Sequence, residues 1–364
     1  MAGGSRARTL EIEDSPEEVN ALFYERGWSD GLPILPPTRE AVAAMLGFSD
    51  RAEDEVIAIL PPRQGEATME RIAINAVMAG CIPSYLPVLI AAVQAVADPA
   101  FNLDAIQATT HPVAPLLIIN GPIARELSIN SGYNAFGQGF RANATIGRAL
   151  RLILMNIGGG LPGSGDRATQ GSPAKFSYCI AENERENPWE PYSVERGFDR
   201  SISTVTAIGC EGPHNIQDHY SNTGLGILRV IAGSMGQAGS NNLLRLGSPL
   251  LTLGPEHAAT IAHDGYSKEA VKAFLFEQAR FPLSMLEREY VRELEALNQV
   301  DAADPDALAR VMNEPESLIV IVAGGSGKHS SWQPTFGDHT KPITVPIARR
   351  DGTPIASVND GRRS

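Results

Sequence analysis

The residues of this 364-residue chain best suited to chemistry lie together in one run, GCEGPHNIQDHYSNT, at positions 209–223. Cys210, Glu211, His214, Asp218 and His219 crowd into ten positions there, directly after an apolar stretch of strand type. If a helix starts near His214, then His214 and Asp218 stand four apart on one helical face. That spacing suits a histidine–carboxylate acid–base pair. His219 then points elsewhere, and the run does not match the H-E-x-x-H zinc pattern. A second reading keeps a divalent metal, held by His214, His219 and His111, with His329, Asp218 or Glu211 in reserve, converging from separate turns. The plain alternative to both is a polar turn whose histidines bond the backbone.

A further run, AGGSGKHSSW at positions 323–332, carries three glycines. Gly325 and Gly327 let successive backbone N–H groups face one anion, with Lys328 adding charge and His329 beside it. It is not a Walker A loop, because Val322 stands where the first glycine is needed. A tight turn that needs glycine only for steric reasons is the competing reading. Gly158, Gly160 and Gly163 formally satisfy G-x-G-x-x-G. However, Pro162 and the further glycines leave no helix behind it, and no acidic residue ends a second strand at the expected distance. The chain thus offers neither a nicotinamide nor an ATP motif. The long loop 158–175, with Asp166, Arg167, Thr169, Gln170 and Lys175, reads as a polar lid over a ligand.

Cys81 precedes an expected helix start, where the helix dipole can lower a thiol pKa and make a nucleophile. Its neighbours Ala79 and Ile82 favour instead a small core residue. Cys179 alternates with Phe176 and Tyr178 as a buried strand residue would. Arg141, flanked by Gly139, Asn143 and Thr145, can clamp an anion or cap its own loop. His111 is held extended by Pro112. His257 is expected in the first turn of a helix, where the dipole favours the neutral imidazole. His263 and His339 read as surface residues.

The elements that must position these groups define an α/β class. Ser15-Pro16-Glu17-Glu18 opens a first helix and Thr38 caps a second. TMERIAINAVMAG and YLPVLIAAVQAVAD read as buried helices, apolar on more than one face. Four later segments repeat a design of apolar strand, glycine turn and helix start, at residues 116–120, 204–209, 250–253 and 318–322. Ligands of α/β sheets bind beyond such strand ends. Helices are expected within 267–281, 284–298 and 302–315. The organisation expected is a loose tail (1–14), a helical N-terminal region (15–110), an α/β region carrying the site (111–346) on a mainly parallel or mixed sheet, and a peripheral tail (347–364).

The net charge of −12 opposes binding to nucleic acid or an anionic membrane through bulk electrostatics. Three separated cysteines form no disulfide framework and suit a reducing compartment. The N-terminal residues lack an apolar run, and the apolar stretch 82–96 is too short and too interrupted to span a membrane. A cytoplasmic protein is the expectation, and a homo-oligomer is compatible with it.

Several motifs also resemble one bacterial family. They are GWSDGLPILPPT (27–38), MAGCIPSYLPV (78–88), QATTHPVAP (107–115), FRANATIGRALRL, TQGSPAKFSYCIAENE, EGPHN, GPEHAATIA and GGSGKHS. The family is associated with proteins bearing a UGSC motif, a redox-type sequence with selenocysteine or cysteine. The resemblance covers roughly residues 19–346 and carries over no catalytic residue. It implies a non-catalytic alternative, a subunit or partner of a thiol or selenol redox protein. This chain has no UGSC and no C-x-x-C. The leading expectation is an enzyme breaking a carbon–heteroatom bond, by hydrolysis or elimination, in a small anionic substrate. His214 and Asp218, with Cys81 as a conceivable nucleophile, would act, while Arg141, Lys175, Gly325, Gly327, Lys328 and His329 would hold the anion.

Overall fold

A computed structural model describes residues 9–12, 15–304 and 306–362. The expected N-terminal tail therefore falls largely outside the described residues. Helix α1 (Pro16–Glu25) begins where Ser15 Oγ accepts the Glu18 N–H, and α2 (Arg39–Leu46) where Thr38 accepts that of Ala41. An antiparallel hairpin follows, β1 (Val56–Leu60) with β2 (Gly65–Thr68), which the helical reading of this region lacked. Thr68 caps α3 (Met69–Ala79), and Gly80, at a φ of 92°, ends it. Such a left-handed helix end favours glycine. Next come α4 (Leu86–Ala97) and α5 (Leu103–Ala108).

The rest of the chain runs in two parts. The first holds β3 (Ala114–Asn120), α6 (Pro122–Glu126), α7 (Arg141–Asn156), β4 (Cys179–Ala181), α8 (Tyr192–Glu195), β5 (Thr204–Cys210) and β6 (His214–Gln217). After α9 (Gly224–Met235) and α10 (Asn241–Arg245), the second opens with β7 (Leu250–Leu253), α11 (Pro255–His263), α12 (Lys268–Gln278), β8 (Arg280–Pro282) and α13 (Arg288–Ala296). It closes with β9 (Leu308–Arg310), β10 (Ile319–Val322), β11 (His329–Gln333) and β12 (Ile343–Pro346).

Two mixed four-stranded sheets result, ordered β12-β5-β3-β4 and β10-β7-β11-β6. Side chains alternate across a strand, and the alternation sorts the apolar residues into layers. Leu116, Ile118 and Ile208 meet Leu250, Ile319 and Ile321 between the sheets. The opposite residues Leu117, Ile119, Val205 and Ala207 pack under α3, α4 and α7. Leu251, Leu253, Val320 and Trp332 pack under α9, α11 and α12. The fold is thus four layers, helix–sheet–sheet–helix. Strands covered on both faces must be apolar throughout, which explains PLLII and IVIV.

The two parts share a topology. In each, a first strand (β3 or β7) crosses over through helices to a parallel neighbour (β4 or β10) and returns as an antiparallel strand on its other side (β5 or β11). Each part then sends its last strand into the other's sheet, β6 beside β11 and β12 beside β5. The crossing points lie together. Cys210 bridges Thr335, Glu211 N–H donates to the Pro334 carbonyl (2.8 Å), and Phe336 N–H to that of Gly209 (3.2 Å). A faint echo survives in the sequence, Pro115-Leu116-Leu117 and Gly121-Pro122 against Pro249-Leu250-Leu251 and Gly254-Pro255.

Several local expectations need correction. Only the first and third strand–glycine segments start helices, with Pro122 and Pro255 in the first turn, where a missing N–H is harmless. The second and fourth continue into strands β6 and β11. The 302–315 stretch holds β9, paired with β8, rather than a helix. Residues 347–362 are not peripheral, since Ile347, Ile355 and Val358 are buried in the core.

The expected lid is also absent from 158–175, which is wound tightly against the body. Lys175 Nζ binds Asp166 Oδ2 at 2.6 Å, Arg151 Nε donates to the Lys175 carbonyl, and Thr169 N–H to that of Thr110. A Cβ on Gly165 would lie 2.1 Å from the Gly159 carbonyl oxygen, so the glycines serve close backbone packing. Among the described residues no single helix is long and apolar enough to cross a membrane, and the apolar α4 is buried.

Candidate functional site

The 209–223 run folds as a bent pair of strands, not a helix start. His214 opens β6 opposite Trp332, and Gln217 lies opposite His329. Four residues on a strand span about 13 Å, so His214 and Asp218 stand at opposite ends of β6. The expected acid–base pair is not formed. The histidines divide instead into two groups, one at each end of the β6–β11 pair.

The first group lies at the crossing point. His111 Nε2 and Glu211 Oε1 are 2.7 Å apart. A carboxylate accepts hydrogen bonds when ionised, so Nε2 carries the proton. Three contacts fix the pair: the Phe336 ring stacks on His111 with centroids 5.7 Å apart, the Tyr178 hydroxyl donates to the Glu211 carbonyl, and Glu211 N–H is held by Pro334. His111 Nδ1 is buried with no partner among the described residues. Glu211 and His214 line one cleft of about 250 Å³, with Gly212, Pro213, Gln237, Gly239, Ser240 and Pro334. His214 is exposed there, and no side-chain bond restrains it among the described residues.

The second group lies where β6 ends and β11 begins. His219 Nε2 and His329 Nε2 are 3.1 Å apart, and His329 Nδ1 meets Asn215 Oδ1 at 2.8 Å. Asn215 and His329 leave the sheet on the same face, diagonally across adjacent strands. Behind them His257, 1% exposed, is fully bonded. Its Nε2 is 3.2 Å from the Asp218 carbonyl, which can only accept, so Nε2 carries the hydrogen. Its Nδ1 therefore accepts from the Ser330 hydroxyl at 2.8 Å, and Ser330 Oγ in turn accepts the Gly254 N–H. Burial holds the His257 pKa below its ordinary value, in keeping with the neutral imidazole expected at this helix start. Burial works to raise the Asp218 pKa, but the N–H groups of Ser221 and Tyr220 on Oδ1 outweigh it and leave the carboxyl below its ordinary range.

The remaining expected site residues do not converge. Cys81, 7% exposed, donates its thiol to the Thr145 carbonyl, and burial pushes its pKa up to about 12. Burial thus disfavours a thiolate there, and it raises the pKa of Cys179 and Cys210 as well. Arg141 binds the Gly80 carbonyl at the end of α3, and Lys175 is paired with Asp166. The glycine loop is not an open anion nest. Gly324 N–H donates to the Ser131 carbonyl and Gly327 N–H to Glu256 Oε1, so a carboxylate of the chain already sits on it. The Tyr133 ring packs over Gly325, where a Cβ would lie 2.1 Å from it. Lys328 Nζ is engaged by Asn222 Oδ1 and the Ser221 carbonyl. His111, His214 and His219 form no common ligand set, and among the described residues no three His, Cys, Asp or Glu side chains gather as one.

Sequence reasoning missed the His111–Glu211 contact and the Ser330–His257 link because both join residues far apart in the chain. The one usable signal was the recurrence of polar residues directly after strands. No protein-family model, curated protein sequence or solved structure matches the chain.

Proposed function

We propose that the chain is a small-molecule enzyme, a hydrolase or lyase, whose acid–base chemistry runs in the Glu211–His214 cleft. The observation that carries this reading is the 2.7 Å bond by which His111, from outside the cleft lining, holds Glu211, which lines the cleft together with the unrestrained His214. His111 donates from Nε2 and orients the carboxylate, leaving its other oxygen to take a proton from water or from substrate. His214, when protonated, returns a proton to the leaving group. Acid–base groups so placed contribute about 10²–10⁴-fold to rate. The cleft is smaller than the roughly 300–1,000 Å³ usual for drug-sized ligands, which favours a small polar substrate. Arg141, Lys175 and Lys328 are engaged elsewhere, so the cleft lacks the anion clamp that an anionic substrate would call for.

The test is a panel of small uncharged esters, lactones, amides and β-hydroxy esters assayed with the purified protein. Glu211→Gln and His214→Asn should each lower kcat/KM on the best substrate by 10²-fold or more with the fold intact. Full turnover in both variants overturns the assignment. With all three cysteines buried, the redox-partner reading would need its reactive thiol or selenol supplied by the other protein.

A further inference from the structure

The His219–His329 pair lies on the other face and at the other end of the β6–β11 pair, outside the cleft. We infer that it is a two-histidine site for a borderline first-row divalent cation of the zinc, nickel or copper type.

Three observations carry this. The first is geometric. With metal–nitrogen bonds of about 2.0–2.1 Å, nitrogens 3.1 Å apart subtend about 98° at the metal. That angle falls between those of octahedral and tetrahedral coordination. The same arrangement would set the ring centroids about 4.8 Å apart, against 4.9 Å observed. The 88° between the ring planes is no obstacle, because each ring can turn about its own metal–nitrogen axis. The second is the support of one ligand. His329 Nδ1 donates to Asn215 Oδ1, which leaves Nε2 as the lone-pair nitrogen and fixes the ring. Ligating histidines are commonly held this way by an oxygen acceptor. The third is the frame. His329 begins β11, and His219 follows Asp218, whose carbonyl is tied to His257 and whose Oδ1 holds the next turn. Both imidazoles reach solvent from anchored backbone.

Two protein ligands leave the remaining coordination positions to water or a small anion. The Asp218 carboxylate precedes His219, and Lys328 lies beside the pair, its Nζ held by the His219 and Ser221 carbonyls and Asn222 Oδ1. A cation there opposes the metal and favours an anionic group, hydroxide or carboxylate, in an open position. Neutral imidazole is the ligand form.

The experiment is titration of tag-free protein with Zn²⁺ by calorimetry and with Cu²⁺ by electron paramagnetic resonance at pH 7.5. One ion per chain is expected, with nitrogen couplings from two imidazoles. His219→Ala and His329→Ala should each weaken binding at least tenfold, and Asn215→Ala about tenfold or more. His263→Ala, an exposed histidine elsewhere, should change nothing. The proposal is overturned if wild-type protein binds no ion at millimolar metal, or if binding survives removal of both histidines. Circular dichroism of each variant separates loss of the site from loss of the fold.

Discussion

Glu211 and His111, 100 positions apart, meet at 2.7 Å where the chain passes from one sheet to the other. The contact is possible because β3 and β5 are antiparallel neighbours, with Ala114 opposite Cys210. His111, three residues before β3, and Glu211, directly after β5, therefore emerge at the same end of the sheet. His111→Ala should lower turnover by releasing the carboxylate, whereas His111→Gln, which can still donate to Glu211, should retain more of it. Equal losses in the two variants would show that the bond does not orient the carboxylate.

His257 provides a pH test. Burial depresses its pKa in the folded chain, so below about pH 6.5 the unfolded chain binds a proton that the folded chain refuses. The associated stability is complete above that pH and is lost as pH falls toward the folded value. Asp218, also depressed, acts in a lower window, below its unfolded value near pH 3.9. The thermal midpoint should therefore decline between pH 7 and 5.5. In His257→Gln the decline should flatten over that interval, while the variant is less stable at pH 7. An unchanged slope would remove His257 as the cause.

The thiols are shielded. Cys81, Cys179 and Cys210 are buried with raised pKa values. Iodoacetamide at pH 8 should leave the folded protein unmodified and label three thiols once it is denatured. Rapid labelling of Cys81 in the folded state would reopen its role as a nucleophile.

The 158–175 loop should behave as part of the body. Gly165→Ala forces a methyl group against the Gly159 carbonyl, a clash expected to cost about 1–3 kcal/mol. Gly233→Ala, in α9 with open space around it, should be neutral or stabilising. Denaturant unfolding of both variants decides the matter. A loop free to act as a lid would tolerate the first change.

Leu89, fully buried in α4, sits in the core shared with β3 and β5. Leu89→Ala should destabilise by about 2–5 kcal/mol, measurable in the same unfolding assay. A loss below 1 kcal/mol would mean that α4 does not pack as described.

Much of this architecture is readable from residue order. Ser15, Thr38 and Thr68 mark helix starts by their capping oxygens, and the largely apolar runs of β3, β7 and β10 mark strands covered on both faces. Where the reading failed, the deciding contacts were distant. HNIQ looks like a helix start after Gly212-Pro213, yet β11 holds it extended, and only Ile216 on it is buried. The loop 158–175 looks unstructured because two of its partners, Gln107 and Thr110, lie about fifty residues before it in the chain. The candidate site suffered most. Its histidines were identified, but which of them meet depends on strand pairings that no local pattern reports.

The exchange of last strands between the two parts has a consequence for how the chain folds. Neither sheet reaches four strands until residues 214–217 and 343–346 have each crossed to the far side, so the two parts are interlocked within one molecule. Either part made alone would expose a bare sheet edge, open to pairing with another chain. Maturation must wait for the C-terminal strand, which makes late, long-range pairing the step most exposed to misassembly.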